Sequence, residues 1–238
     1  VIIDNLAERT TGQSLAVLQN IIELAIRNAA KNNTELQDND LLEALEEYLY
    51  GEKKESTPEY YRSVAIHETG HAYIHYLAGG MPSYITIESR GNFGGYMKPG
   101  DSEEIKSYTK EDILGRIRTA LAGRAAEEVF YSKDEAMNTG AASDLRQATN
   151  YAFHMVCSYG MGDYHMLTLS KEEILKSPLA ETYIRQVDNI LQQEMKKTVA
   201  LVEENKEIIK AIADELVSRN HLTGDEFKEI VENFKGKA

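Results

Sequence analysis

Apolar side chains recur at helical spacing through most of this chain. Between Thr11 and Lys31 they fall at Leu15, Leu18, Ile22, Ala25, Ile26 and Ala29, which predicts a helix with one buried face. Leu41, Leu42, Leu45 and Leu49 repeat the pattern over Asp40 to Tyr50. The run Gly51-Glu52-Lys53-Lys54-Glu55-Ser56-Thr57-Pro58 then replaces periodicity with polar and turn residues. The expected organisation is a small helical unit over 1–52, a linker over 53–58 and a larger domain over 59–238.

The second domain reads as mainly α with a small β-sheet. A helix is predicted from Pro58 to Ala78, stopped by Gly79-Gly80. Ser83 to Glu88, with Ile85 and Ile87 on one side, reads as a strand, and Gly91-Asn92-Phe93-Gly94-Gly95-Tyr96 as a turn into a second extended segment. Thr109-Lys110-Glu111-Asp112 has the form of a capping box with Asp in place of Glu, opening a helix to Tyr131. Further helices are expected over Ser143 to Tyr159, from a Ser177-Pro178 start to Asn205, over Lys206 to Arg219 and over Asp225 to Phe234. Neither an internal repeat nor a low-complexity tract interrupts this order.

Composition narrows the function classes. A net charge of -13 over 238 residues argues against binding driven by attraction to nucleic acid or anionic lipid. Residues 1–58 alone carry five basic and eleven acidic side chains, read as a solvated outer surface. A single cysteine, Cys157, excludes an internal disulfide and suits a reducing compartment. No apolar run is long enough to span a bilayer, and no signal peptide is present, so the chain is expected to be soluble. It begins at Val1 rather than Met, so an anchor or further domain is expected upstream.

Chemistry is concentrated at His67-Glu68-Thr69-Gly70-His71. Two imidazoles four residues apart on a helix share a face and can share one metal ion, with the glutamate beside them. The pattern is that of zinc hydrolases, in which three protein ligands leave a fourth position for a water of lowered pKa. Glu68 would take the proton from that water as it attacks a carbonyl and pass it to the leaving amine.

Two histidines need a third ligand. His75 lies a further turn along the helix, about 6 Å beyond His71 at 1.5 Å per residue, too far to share their ion, and reads as a packed or surface residue. The remaining candidates are Glu127 and Glu128 in Gly123-Arg124-Ala125-Ala126-Glu127-Glu128, and Asp144 in Thr139-Gly140-Ala141-Ala142-Ser143-Asp144. A downstream glutamate on a second helix is a common third ligand, whereas Asp144 has an ordinary alternative role in the first turn of a helix. On residue chemistry alone the choice stays open.

Taken in order, these motifs resemble the FtsH family of ATP-dependent zinc metalloproteases. His67-Glu68-Thr69-Gly70-His71-Ala72 is similar to the family's metal helix, and Gly123 to Glu128 to its second helix. Thr139 to Leu145, followed by Ala148-Thr149, Met155-Val156 and Tyr159-Gly160-Met161, is similar to the segment carrying its aspartate ligand. Glu226-Phe227 resembles its closing helix. The resemblance implies that His67, His71 and Asp144 bind Zn2+, that Glu68 is the general base, and that Glu127 and Glu128 serve in packing or in orienting a ligating imidazole.

The resemblance extends to residues 1–52. Ala7 to Gly12 with the helix that follows, and Asp40 to Leu45, look like the helical lid of an AAA ATPase, although Leu15-Ala16-Val17-Leu18 stands where the family has Gly-Ala-Asp-Leu. The sequence contains no Gly-x-x-x-x-Gly-Lys-Ser/Thr phosphate loop, so ATP would be used only by a core outside it. The resemblance further implies protein substrates, a homohexameric parent attached to the membrane through an upstream anchor with this domain in the cytoplasm, and a peptide-binding edge along Ile85 to Met97 where Gly94 and Gly95 admit a backbone. Two rivals remain at this level. One is a catalytically silent assembly or adaptor module, against which the intact Glu68 counts; the other is a peptidase that works without ATP.

Overall fold

The computed structural model describes residues 6, 10, 12–91, 94–100, 107–132, 134 and 139–236, and the elements below are those of the described residues. Contacts divide the chain into two units, one of residues 1–56 with 88–94, the other of 57–87 with 95–238.

The first unit is built on α1 (Leu15–Lys31) and α2 (Asp38–Tyr50). Its core joins Ile21 and Ala25 of α1 to Ala44 and Leu45 of α2, and Asn28 donates to Glu47 at 2.8 Å beside it. This corrects the expected buried face of α1. Ala25 and Ala29 are buried as predicted, but Leu15, Ile22 and Ile26 are 83%, 48% and 51% exposed, and Ile21 takes the inward position. The apolar arc of α1 is wider than one packed helix covers, and α2 meets the Ile21 side of it. Thr11 lies outside the described residues. Residues 88–91 run beside the segment after α2, through a Lys53–Arg90 bridge and a bond from the Lys54 amide to the Ser89 carbonyl. Arg90 is buried, and its guanidinium bonds Glu43 at 2.7 Å and Glu88 at 3.0 Å.

The second unit contains α3 (Pro58–Leu77), α4 (Lys110–Phe130), α5 (Ala142–Cys157), α6 (Lys171–Leu175), α7 (Ala180–Glu204), α8 (Lys206–Arg219) and α9 (Gly224–Lys235), with one small sheet against which α3, α8 and α9 pack. The α3 helix starts where Thr57 accepts the Tyr60 amide ahead of Pro58, whose fixed φ and missing N–H suit a first helical position. It ends before Gly79, which takes a left-handed φ of 87°. At the start of α4 the Thr109 hydroxyl accepts the Asp112 amide while Asp112 accepts the Thr109 amide, a capping box as predicted.

The sheet consists of β1 (Pro82–Thr86), β2 (Tyr96–Pro99) and β3 (His221–Thr223), in the order β2-β1-β3 with both pairings antiparallel. Ile85 of the central strand faces Met97 on one side and Leu222 on the other. The sequence reading extended the first strand to Glu88; the ladder stops at Thr86, and Glu88 already belongs to the first unit. Asn92 and Phe93 of the expected turn lie outside the described residues.

Two apolar clusters meet on α4. One face packs Ala122, Ala125 and Ala126 against Ile66, Ile85, Ile209, Ile212 and Phe227; the other packs Ile113, Ile117 and Leu121 against Ala152, Met155, Tyr183 and Val187. A helix buried on two faces carries little amphipathic contrast, as α4 does. The buried Glu194 of α7 is paired with Arg118 of α4 at 2.7 Å, which ties the two helices together. The expected Ser177-Pro178 helix start is displaced to Ala180. Ser177 closes the turn after α6, donating its hydroxyl to the Ile174 carbonyl and accepting the Leu179 amide. Of the apolar positions on α7, Val187 and Val202 are buried and Ile184 is 55% exposed.

Candidate metal centre

His67, Glu68 and His71 lie in the middle of α3, where every residue from Glu68 to Ile74 is buried. One helical turn stacks the two imidazoles with ring centroids 4.8 Å apart and brings their Nε2 atoms to 3.1 Å. Asp144, in the first turn of α5, comes from outside the helix. Its Oδ2 lies 3.0 Å from His67 Nε2 and 3.4 Å from His71 Nε2. Donor atoms of these three residues all lie within 4.8 Å of one another.

The far side of each ring fixes what the near side can do. His71 Nδ1 is 2.7 Å from the Thr119 carbonyl, which can only accept, so that nitrogen carries the proton and donates. His67 Nδ1 donates in the same way to Glu127 Oε1 at 2.7 Å. In a neutral imidazole whose Nδ1 bears the hydrogen, Nε2 holds a free lone pair. His67 Nε2 is itself within hydrogen-bond distance of Asp144, at 3.0 Å; a cation taking the place of the proton in that bond would meet both Nε2 lone pairs where Asp144 also reaches.

Two glycines allow α4 to come this close. A methyl group on Gly70 would lie 2.7 Å from the Ala122 carbonyl oxygen and 2.8 Å from the Ala126 methyl, so α3 and α4 meet there nearly backbone to backbone. That contact brings Thr119 and Glu127 up to the imidazoles. A methyl group on Gly123 would fall between the two rings themselves.

Charge in the site is unbalanced toward the negative. Burial disfavours a charged His67, but Asp144 and Glu127, bonded to its two nitrogens, outweigh burial and hold its pKa up at about 10. Burial alone would push Asp144 up; the two imidazoles instead hold its carboxyl well below the usual carboxylate range. Glu68, 8% exposed, is pushed up by burial, against the pull of His67 and His71. Three carboxyl groups around two imidazoles in a water-poor place favour a bound cation.

The donor set fits zinc. Tetrahedral zinc with bonds of about 2.0–2.1 Å separates its ligand atoms by about 3.3 Å, and the three separations here span 3.0 to 3.4 Å. Two imidazole nitrogens and one carboxylate oxygen are ligands that this ion accepts, and both imidazoles have the outer hydrogen bonds that orient metal-bound histidine.

The structure thus gathers His67, His71 and Asp144 around one point with Glu68 alongside. Glu127 reaches the site through His67 Nδ1 and not through the donor cluster; Glu128 makes no bond to either imidazole. His75 sits near the end of α3 with its ring against Gly80, away from the cluster, and burial followed by the nearby Arg116 lowers its pKa. The Thr119 carbonyl was missed because a backbone group leaves no trace in residue type. The sequence signal for Gly123 was present, a glycine among the alanines of a helix, but without an obvious partner.

Known proteins resemble this chain in sequence. The sequence model of Peptidase family M41 matches residues 54–230, which contain all the residues of the centre. The chain belongs to Peptidase family M41. M41 relatives include the protein named ATP-dependent zinc metalloprotease FtsH from Mycoplasmopsis synoviae, 32% identical over 97% of this chain and 38% of the relative. The proteins of the same name from Thermus thermophilus and from Synechococcus sp. are each 32% identical, over 95% and 97% of this chain and 38% and 39% of the relative. The chain therefore spans about two fifths of the length of these FtsH relatives. Among the described residues no helix is long and apolar enough to cross a membrane.

Proposed function

We propose that this M41 domain is a zinc-dependent metalloendopeptidase, the cutting part of an ATP-dependent FtsH-like protease that degrades unfolded or membrane proteins. The observation that carries the reading is the convergence of His67, His71 and Asp144 beside the buried Glu68. These three residues would hold Zn2+. Zinc bound there would bring the pKa of a water toward neutrality and polarise a peptide carbonyl.

Glu68 accepts the proton of the attacking water and delivers it to the departing amine nitrogen. Its burial favours this, because a desolvated carboxylate holds a proton more tightly than an exposed one. Glu127 and the Thr119 carbonyl keep both imidazoles in the tautomer that presents Nε2. An extended substrate would add alongside β2, which stands at the end of the strand order β2-β1-β3, through main-chain hydrogen bonds that tolerate many sequences. Gly95, at the entry to β2, lies against Thr86, Val64 and the Glu68 side chain, which supports placing that edge next to the base.

Residues 1–52 fit the same reading as part of an ATPase lid, with 53–58 as linker and 59–238 as peptidase. The names of the relatives, which align with nearly the whole chain, support it. ATP would act in a nucleotide-binding core that this sequence does not contain, in a homohexameric parent that takes protein substrates.

Metal analysis combined with casein cleavage tests the proposal. The expected result is one zinc per chain and cleavage, with Glu68→Gln retaining the zinc and losing on the order of a hundredfold or more in turnover. Asp144→Ala is expected to lose the zinc. Activity surviving Glu68→Gln would remove the mechanism, and a zinc-loaded oligomer that never cleaves would make the chain an assembly module. Zinc kept by Asp144→Ala but lost from Glu127→Ala would move the third ligand.

A further inference from the structure

Gly123 stands in the buried middle of α4, between Ala120, Ala122, Ala125 and Ala126. Alanine is the better helix former, and glycine at an interior position weakens a helix. Three glycines on α3 and α4 have different surroundings. At Gly115 an added methyl would meet the Ala78 methyl at 3.5 Å, an ordinary contact. At Gly70 it would strike the backbone of α4. At Gly123 the three nearest atoms belong to His67 and His71: the methyl would press on His67 Nε2 and lie 2.5 Å from both His67 Cε1 and His71 Nε2.

Those nitrogens are the atoms that would share one ion with Asp144. The rings cannot swing aside freely, since each is tied on its far side at 2.7 Å, one to Glu127 and one to Thr119. A side chain at 123 must therefore either break those bonds or occupy the space between the donors. We propose that Gly123 is a positioning residue of the metal centre: its missing side chain leaves the two Nε2 atoms in register for one ion, at a cost in helix propensity. The proposal rests on the metal reading of the site and concerns a residue that donates nothing to the ion.

The test compares zinc affinity of the full 238-residue chain, by competition with a chromophoric chelator, between the wild type, Gly123→Ala and Gly115→Ala. The expected result is a loss of about 10–100-fold for Gly123→Ala, the range seen when groups that orient ligands are altered. Gly115→Ala should bind as the wild type does. Equal affinity in Gly123→Ala overturns the proposal, whereas a wild type that takes up no zinc overturns the metal reading instead.

A second measurement needs no metal. Thermal melts of the metal-free chain compare Gly123→Ala in the wild type and in a His67→Ala/His71→Ala background. If the methyl collides with the imidazoles, its destabilisation disappears when they are removed, and a chain that folds with Gly123→Ala only in that background gives the same answer. A drop of equal size in both backgrounds, or failure to fold in both, would make Gly123 a helix-packing residue and remove the proposal.

Discussion

Glu127 and His67 stand sixty residues apart in the chain and 2.7 Å apart in the structure, carboxylate oxygen to Nδ1. Glu127 is 7% exposed, so the bond is made where water competes poorly and its geometry is held. It fixes the His67 ring and leaves Nε2 to face Asp144 at 3.0 Å.

Glu127→Ala is expected to lower zinc affinity about 10–100-fold without abolishing binding, because it removes the group that orients a ligand and not the ligand itself. Glu128→Ala should bind zinc within about twofold of the wild type, as its side chain makes no bond to the imidazoles. Chelator competition on the two variants separates neighbouring carboxylates that the sequence alone treats as equivalent.

Gly95→Val should retain zinc and lose peptide turnover by about tenfold or more. An added Cβ there would lie 2.5 Å from the Thr86 carbonyl oxygen, 2.6 Å from a Val64 methyl and 3.3 Å from Glu68 Cγ, so the chain entering β2 must move away from β1 and from the base. Displacements of about 1 Å near reacting groups cost on the order of a hundredfold in some enzymes, which makes tenfold a moderate expectation. Zinc content and fluorogenic-peptide kinetics on one preparation check it; unchanged turnover would remove β2 as the substrate edge.

At the start of α9 the Glu226 carboxylate accepts the Thr223 amide at 2.8 Å and the Thr223 hydroxyl at 3.0 Å. Burial alone would raise its pKa, but these bonds, with Arg219 and His221 nearby, lower it. A carboxyl whose folded pKa is depressed contributes stability above its unfolded value and loses it as pH falls through the folded one. Glu226→Gln should therefore be less stable than the wild type at pH 7 by about 0.5–1 kcal/mol, and the difference should vanish toward pH 3. Denaturant melts at both pH values test the sign.

Cys157 is buried at the end of α5, and desolvation pushes its thiol up to about 11. At pH 8 only about one thiol in a thousand would be thiolate, the reactive form. The folded chain should stay unlabelled by a maleimide at pH 8 over the time in which the unfolded chain takes up one equivalent. Rapid labelling of the native protein would contradict the packing of α5 described here.

Helix starts were legible where a proline or a capping box marked them, as at Pro58 before α3 and Thr109 with Asp112 before α4. What escaped was short or distant. The five-residue α6 is opened by Ser170, whose hydroxyl accepts the Glu173 amide, a local signal too brief to stand out. The three residues of β3 are a strand only because they pair with β1, well over a hundred residues earlier. On α1 the apolar arc was visible but not which part of it α2 would cover.

The sequence by itself determined a helix carrying His67 and His71 on one face with Glu68 beside them, because 3.6-residue periodicity and a four-residue spacing are local facts. From residue chemistry it left Glu127, Glu128 and Asp144 as equal candidates to complete the set, and only the resemblance to a family chose among them. Tertiary structure decided their distances. The near-contact of backbones at Gly70 sets α4 beside α3, which brings Glu127 to the outer nitrogen of His67 and leaves Glu128 unbonded to either ring. The first turn of α5 brings Asp144 to the inner nitrogens. A carboxylate's place in a metal centre depends on which nitrogen it reaches, and that distance is a property of helices packed together, not of any one of them.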